Sequence, residues 1–471
     1  MIAIKISMKD IQINSKFVKE GDIFVAIPCQ NLERNINEAL DKKAEIVFAE
    51  ESKNDKVLKI NDARLLASRL AKFKYNRQPE FCVSITGTNG KSSVAHFLRQ
   101  IWTHSEKKAG NLGTLGLFID EKEITFKDAP ISNLTTPDPI TLHKIMEYAK
   151  RKKVTHFVLE ASSHALNQKR LHSIDLAAAA FTNLASDHLD YHKTEKAYLA
   201  SKLKLFEEIL ECDRPAIVSR DYPRIHEGVS KFNKNIISFG FDKTNFIRAK
   251  NIREFEEEVI FDLVFGGRTF PEIKINLFGN FQIMNVLCAI SLAFSVETKI
   301  EDIIETLPAI LPLSGRMERI ASFNKGNIYV DYAHTSEGLK SALTCFKKIC
   351  KGRLICLFGC GGNRDKTKRE EMGKIADQLS DVVIVTDDNP RNEPPSEIRQ
   401  QIIKICPKAI EIGNRKEAIF HAISLIEPGD SVVVIGKGHE VYQIYSDKTI
   451  PFNDKEEVLK IIRAKPKRQL V

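Results

Sequence analysis

Residues 87–93, GTNGKSS, are of types and spacing that could do chemistry. They follow the apolar run FCVSIT (81–86) and open into VAHFLRQIW, so strand, glycine loop and helix are expected in that order. In that setting Gly87, Thr88, Asn89 and Gly90 would wrap a phosphate. The amides of Thr88, Asn89 and Gly90 would point at its oxygens, and the helix N-terminus would add partial positive charge. Lys91 would bridge the β- and γ-phosphates of ATP, Ser92 could ligate Mg²⁺, and Ser93 closes the motif. A strict phosphate loop has four residues between its glycines and this one has two. The plain alternative is a tight glycine turn that caps a helix.

An ATP site needs an acidic residue for its metal. Glu160 ends the apolar run FVLE and is the candidate; the alternative is an exposed strand-end glutamate. FTNLASDHLDYH (181–192) sets Asp187, His188, Asp190 and His192 just beyond another apolar run. Such a cluster points to a second metal or phosphate contact.

The elements that must position these residues alternate. GDIFVAIPC (21–29) and AEIVFAE (44–50) read as strands around a helix, NINEALDKKA (35–44), and NDARLLASRLAKFKYN (61–76) reads as an amphipathic helix. Buried strands are expected at THFVLEAS (155–162), LAAAAFTNL (176–184) and RPAIVS (214–219), with helices between, the signature of a parallel sheet covered on both faces. A β-rich stretch (236–278) and a helix (281–295) follow, and LPLSGRMERI (311–320) looks like a hinge. Beyond it NIYVDYAH, RLICLFGCGG, DVVIVTDDNP and SVVVIGKGHE are four apolar strands that end in polar loops, where open α/β sheets bind ligands. The expected fold class is α/β in three domains, at about 1–78, 79–312 and 313–471.

Composition excludes other classes. The 471 residues are 43% hydrophobic and 28% charged, which is ordinary for a globular protein and rules out a disordered, collagen-like or disulfide-framework chain. The N-terminus carries no signal-peptide pattern, and no window reaches the roughly 18 apolar residues of a membrane helix, so a cytoplasmic protein is expected, with no membrane insertion. Nine scattered cysteines without a CxxC pair read as reduced thiols rather than a zinc site. The net charge of +9 is spread through the chain, with only KPKRQ (465–469) as a local basic tail, and no nucleic-acid partner is expected.

GTNGKSS, TTPD (135–138), EASSHAL (160–166), FTNLASDHLDYH, YLASKLKLF (198–206), GRMERI (315–320), DYAHT (331–335), GCGGNRDKTKR (359–369), DNPRNE (388–393) and GKGHE (436–440) together resemble the Mur ligases, the ATP-dependent amino-acid ligases of peptidoglycan synthesis. The resemblance spans about 80–440 and is greatest to members that extend UDP-MurNAc-L-Ala-D-Glu. It implies a small N-terminal UDP-binding domain, a central ATPase domain of the phosphate-loop type and a C-terminal Rossmann-like domain that binds the amino acid. The implied reaction transfers the ATP γ-phosphoryl group to the D-Glu γ-carboxylate. An amine then attacks the acyl phosphate to leave an amide. Lys91 and two Mg²⁺ ions would neutralise the meeting anions, with Ser92 and Glu160 on one metal and His188 on the other. Lys202 matches the family's carbamylated lysine (N6-carboxylysine); from the residues alone it reads as one exposed helix lysine among many.

By the same resemblance Asn285, Arg316, Asp331 and His334 surround adenine and ribose, so that ATP is clamped from two domains. The plain alternatives are a helix-face amide for Asn285 and a hinge salt bridge for Arg316. Thr135, Thr136, Ser162, Gln168 and Arg170 match contacts to the muramoyl-peptide, and Ser15 matches a serine near the uracil, although its triplet here is NSK. A monomer is expected.

The incoming amino acid is read at DNPR. Meso-diaminopimelate carries a distal carboxylate and ammonium, whereas lysine carries only the ammonium. A guanidinium fork matches the carboxylate bidentately. By the same resemblance, in which diaminopimelate-adding members carry DNPR at this place, Arg391 would supply it, with Arg364 and Asn389 assisting, while Asp388, Gly436 and Glu440 meet ammonium groups or backbone donors. The alternative for DNPR is a solvated, helix-capping turn. The rival functions are a lysine-adding Mur ligase, a folylpolyglutamate synthetase-like ligase and a non-enzymatic nucleotide-binding protein. Departures from the family pattern concentrate near the N-terminus, where PCQNLERN replaces the usual glycine and D-G pair.

Overall fold

The computed structural model describes residues 9–124, 134–185, 187, 189–255, 258–277 and 279–464, apart from the side chains at 189 and 190. His188 and the basic tail 465–469 lie outside the described residues, as does the side chain of Asp190. The chain divides into two compact units. One comprises the described residues of Met1–Leu184, Lys196–Ile247 and Cys288–Thr306; the other comprises those of Ala185–Glu195, Arg248–Leu287 and Leu307–Val471.

The first unit holds two sheets. The smaller is parallel and runs Ile11–Gln12, Ile23–Val25, Ile46–Ala49, Val57–Lys59 in spatial order. Its strands are shorter than the apolar runs suggested, and the helix between them spans Leu32–Asp41. Helix Ala63–Lys74 packs on this sheet and starts where the Asp62 side chain accepts from the Leu65 amide at 2.8 Å, an N-cap that satisfies an otherwise orphaned donor. Asp62 also pairs with Lys169 at 2.6 Å, and Ile140 joins the small sheet's core.

The larger sheet contains Ile236–Gly240, Ala216–Ser219, Ala178–Phe181, Phe81–Thr86, His156–Glu160 and Ala109–Gly113 side by side, all parallel. The antiparallel strands Gly116–Ile119 and Lys122–Ile124 close one edge. The central strands are buried along almost their whole length, as strands covered on both faces must be. Phe81–Thr86 is the earliest of the parallel strands. Its neighbours on the two sides, Ala178–Phe181 and His156–Glu160, come from later and separate crossovers, which makes its carboxyl end a switch point where α/β sheets bind ligands.

In the second unit the sheet order is Glu318–Phe323, Gly326–Asp331, Ser431–Ile435, Leu354–Phe358, Val382–Val385, Ile410–Glu411. Only the first pair is antiparallel. Separate apolar cores cover its two faces, one around Leu343, Phe346 and Met372, the other around Ile419, Ile423 and Val458. The β-rich stretch resolves into Ile247–Glu254, Val259–Phe265 and Arg268–Ile275. The last two form a hairpin turned by Gly266 and Gly267 at φ +53° and +91°, conformations that suit a tight turn matched to strand twist. No helix among the described residues is long and apolar enough to cross a membrane.

Candidate active site

The glycine loop follows strand Phe81–Thr86, and Gly90, at φ +85°, caps helix Lys91–His104. Gly87 must be glycine because a Cβ there would lie 1.9 Å from Thr182 Oγ1. The loop's amides are not all aimed as the sequence suggested. Thr88 N–H donates to the Asn183 carbonyl at 3.0 Å, and Asn89 N–H to Asn183 Oδ1 at 2.9 Å. Asn183 Nδ2 returns a bond to the Asn89 carbonyl at 3.0 Å, and Thr182 Oγ1 adds another at 2.6 Å. Asn183 therefore fixes the loop's shape, and the donors toward a phosphate begin at Gly90 and the first helical turn, whose amides lack intrahelical acceptors. Lys91 folds back onto the carbonyls of Gly87 and Thr88, each at 2.9 Å.

Glu160 is not exposed. It retains 2% of its surface and is held from three directions. Ser92 Oγ donates to Oε2 at 3.0 Å, Thr114 N–H to Oε1 at 3.0 Å, and Thr114 Oγ1 to Oε2 at 3.2 Å. Burial pushes its carboxyl up from the ordinary value, opposed by Lys91 and by the Ser92 and Thr114 hydrogen bonds. Gly113 makes room for it, since a Cβ there would sit 1.9 Å from Oε1. A hydroxyl and a carboxylate beside a phosphate loop are hard oxygen donors, so the pair fits Mg²⁺, which binds one or two carboxylates and completes its shell with water and phosphate. Among the described residues no group of three or more His, Cys, Asp or Glu could hold a metal ion.

Lys202, on helix Glu195–Lys204, is 1% exposed rather than solvated. Its Nζ donates to the Gly87 carbonyl at 2.7 Å and lies 4.4 Å from the centre of the Tyr198 ring. The Tyr198 hydroxyl reaches Thr88 Oγ1 at 3.3 Å.

The muramoyl-peptide candidates form one network with Glu160. Thr136 Oγ1 donates to the Glu160 carbonyl at 2.7 Å and accepts from Ser162 N–H at 3.1 Å. Thr135 Oγ1 lies 3.0 Å from Thr114 Oγ1. Ser162 caps helix Ser163–Asn167 through Ala165 N–H at 3.2 Å. Arg170 reaches the Thr136 carbonyl at 2.5 Å and Gln168 Oε1 at 2.7 Å. Ser15 stands apart from this network: its hydroxyl donates to Glu38 at 2.8 Å, and its carbonyl accepts from Lys42 at 2.9 Å.

In the second unit, Asp331 ends strand Gly326–Asp331 and accepts the amides of Ala333 at 2.7 Å and Met317 at 2.8 Å. Burial raises its carboxyl and Arg316 opposes this. Arg316 stacks at 4.3 Å on the Tyr332 ring, and among the described residues its buried Nε has no hydrogen-bond partner. Burial pulls His334 down to about 4 against the pull of Asp187. Asn285 is buried, with Nδ2 donating to Gln282 at 3.0 Å.

The loops after three strands converge around Arg391. Arg391 sits at φ +54°, an uncommon conformation for an arginine, with its amide on the Ile444 carbonyl at 3.0 Å and Nη1 on the Gly362 carbonyl at 2.9 Å. Burial lowers its affinity for a proton and Arg364 lowers it further, while Asp388 and Glu440 oppose them. Gly436, at φ +118°, lies against Asp388: a Cβ would be 2.9 Å from Oδ2. Asn389 is engaged on both ends. Nδ2 donates to Glu440 Oε2 at 2.8 Å, and Oδ1 accepts from Lys437 Nζ at 3.1 Å and from Ile444 N–H at 3.0 Å. DNPR is thus a tied, half-buried loop rather than a solvated turn.

Sequence reasoning missed Thr114, Gly113, Asn183, Tyr198 and Lys437. Asn183, Tyr198 and Lys437 lie inside the motifs FTNLASDHLDYH, YLASKLKLF and GKGHE; Gly113 and Thr114 carry no local signal.

Residues 85–293 match the Mur ligase middle domain, and residues 315–438 match the glutamate ligase domain of Mur ligases. A UDP-N-acetylmuramoyl-L-alanyl-D-glutamate–2,6-diaminopimelate ligase from Rhizobium meliloti strain 1021 is 40% identical over 98% of this chain and 95% of its own. The chain belongs to the Mur ligase family. A solved ligase of that same name matches the fold of this Mur ligase with a TM-score of 0.68 at 28% identity, over 97% of this chain and 94% of its own. A Mycobacterium tuberculosis folylpolyglutamate synthase, solved with ADP and AMPPCP, also reaches 0.68, at 16% identity over 86% of this chain and 95% of its own. The second likeness is one of fold alone.

Proposed function

We propose that this Mur ligase joins meso-2,6-diaminopimelate to the D-Glu γ-carboxylate of UDP-MurNAc-L-Ala-D-Glu, with ATP as the energy source, in the cytoplasm and as a monomer. The observation that carries this reading is the 40% identity, over almost the whole chain, to a ligase named for that acceptor and for diaminopimelate. Folylpolyglutamate synthase shares the fold but not this level of identity.

The chain's own residues account for the steps. Lys91 exchanges its two loop carbonyls for oxygens of the β- and γ-phosphates, and the amides from Gly90 onward take the rest of the charge. Ser92 and Glu160 would hold Mg²⁺, and His188 a second ion; the ions supply charge neutralisation when two anions must meet. Thr135, Thr136, Ser162, Gln168 and Arg170 hold the acceptor's peptide so that its γ-carboxylate is placed for phosphorylation. Lys202 is read as the carbamylated lysine. Asn285, Arg316, Asp331 and His334 are read as contacts to adenine and ribose, Ser15 as a contact near the uracil. Arg391 and Arg364 take the distal carboxylate of diaminopimelate, and Asp388 and Glu440 its ammonium. The functional division follows the three segments 1–78, 79–312 and 313–471.

Phosphate release with Mg-ATP and UDP-MurNAc-L-Ala-D-Glu, compared between meso-diaminopimelate and L-lysine, tests the reading. Release that depends on diaminopimelate and yields a UDP-MurNAc-tripeptide is expected. Release with lysine alone keeps the ligase and overturns the amino acid. No release with either overturns the reaction.

A further inference from the structure

Lys437 lies in the GKGHE loop at 0% exposure. Among the described residues its ammonium has two partners: Glu440 Oε2 at 2.7 Å and Asn389 Oδ1 at 3.1 Å. Asn389 Nδ2 closes the ring by donating to the same Glu440 oxygen at 2.8 Å. The GKGHE loop and the DNPR loop are thereby tied through one buried cation. Both donors use Oε2, which leaves Glu440 Oε1 for a substrate ammonium.

The ring also sets the charge of the amino-acid site. The site and its buried support hold four cations, Arg364, Arg391, Lys437 and Arg415, and three carboxylates, Asp388, Glu440 and Asp454, the last paired with Arg415 at 2.7 Å. The surplus is one positive charge. Diaminopimelate brings a distal centre of zero net charge whose carboxylate answers that surplus. Lysine brings a lone ammonium that the surplus repels. Discrimination between close substrates often rests on such a repulsive element as much as on an attractive one. With an uncharged side chain at 437, cations and carboxylates balance and the penalty on lysine falls.

We infer that Lys437 is a specificity-determining positioning residue: through Glu440 and Asn389 it shapes the amino-acid pocket, and through its charge it disfavours lysine against diaminopimelate. This rests on the functional reading above. The identity of the residue matters as well as its bonds. A glutamine at 437 could still donate to Glu440 but would carry no charge.

The test is steady-state kinetics of the full chain with meso-diaminopimelate and with L-lysine, for wild type, Lys437→Met and Lys437→Gln. The ratio of kcat/KM for diaminopimelate to that for lysine should fall by about ten-fold or more in both variants, through a higher KM for diaminopimelate and a higher kcat/KM for lysine, with KM for ATP unchanged. The unchanged KM for ATP reports a folded enzyme, and the glutamine variant decides if the methionine one does not fold. An unchanged ratio in a folded variant overturns the inference alone. A wild type that does not use diaminopimelate overturns the functional reading, and this inference with it.

Discussion

Thr114 grips Glu160 twice, with its amide 3.0 Å from Oε1 and its hydroxyl 3.2 Å from Oε2. The carboxylate is thus aimed before any nucleotide arrives, at the end of the strand beside the glycine loop. In the role proposed for Glu160, such preorganisation would place charge where the reaction needs it and avoid reorganising it later.

Removing that charge should stop chemistry and spare binding of the sugar substrate. Glu160→Gln should lower ATP-dependent phosphate release by about 10²–10³-fold. Gly113→Ala should act in the same direction, because the new Cβ would occupy the position of Oε1, at 1.9 Å. Phosphate release and direct binding of UDP-MurNAc-L-Ala-D-Glu, measured side by side, check both variants. Full turnover in Glu160→Gln would contradict the role given to this carboxylate.

Arg391→Ala should selectively weaken use of diaminopimelate. Losing a buried, charge-assisted partner costs about 2–5 kcal/mol in binding of the transition state. KM for ATP should hold. Equal kcat/KM for diaminopimelate in mutant and wild type would refute the assignment.

Lys202 should bear a carbamate under turnover conditions. ¹³C-labelled bicarbonate should produce a carbamate resonance in the wild type that is missing from Lys202→Arg, and the variant should lose about 10–100-fold in activity. A wild-type spectrum without that resonance would sink the assignment.

Acid should destabilise the first unit through buried histidines. Burial holds His143 and His156 down to about 4 from an ordinary 6.5. The fold therefore favours their neutral forms. That contribution is complete above the unfolded value and is lost as pH falls toward the folded one. Thermal melts should fall steadily from about pH 7 to about pH 4.5. His156 packs against Phe81 and Trp102, so His156→Phe should flatten part of that slope. An identical slope in the variant would show that His156 contributes nothing to it.

Much of this was legible along the chain. The glycine loop, the strand that delivers Glu160 and the four apolar strands of the last region are local patterns, because period and turn chemistry are properties of neighbouring residues. Arg391 could be singled out as a candidate because DNPR stands in the family's order of motifs and a guanidinium suits a carboxylate. Strand ends were less legible: the apolar run 21–29 yields only Ile23–Val25 as strand, since pairing and not hydrophobicity sets where a strand stops.

What the sequence by itself determined is the family, the order of the elements and the candidate residues placed on them. Only the tertiary structure decided how those residues are presented. Asn183 takes the Asn89 amide from 94 positions away, Thr114 grips Glu160 across 46, and Lys437 meets Asn389 across 48. Hydrogen bonds of such span depend on which strands lie side by side, and no local pattern of residues encodes that. They also decide that Glu160 and Lys202 are buried, because burial is a property of everything packed around a side chain rather than of its neighbours in the chain.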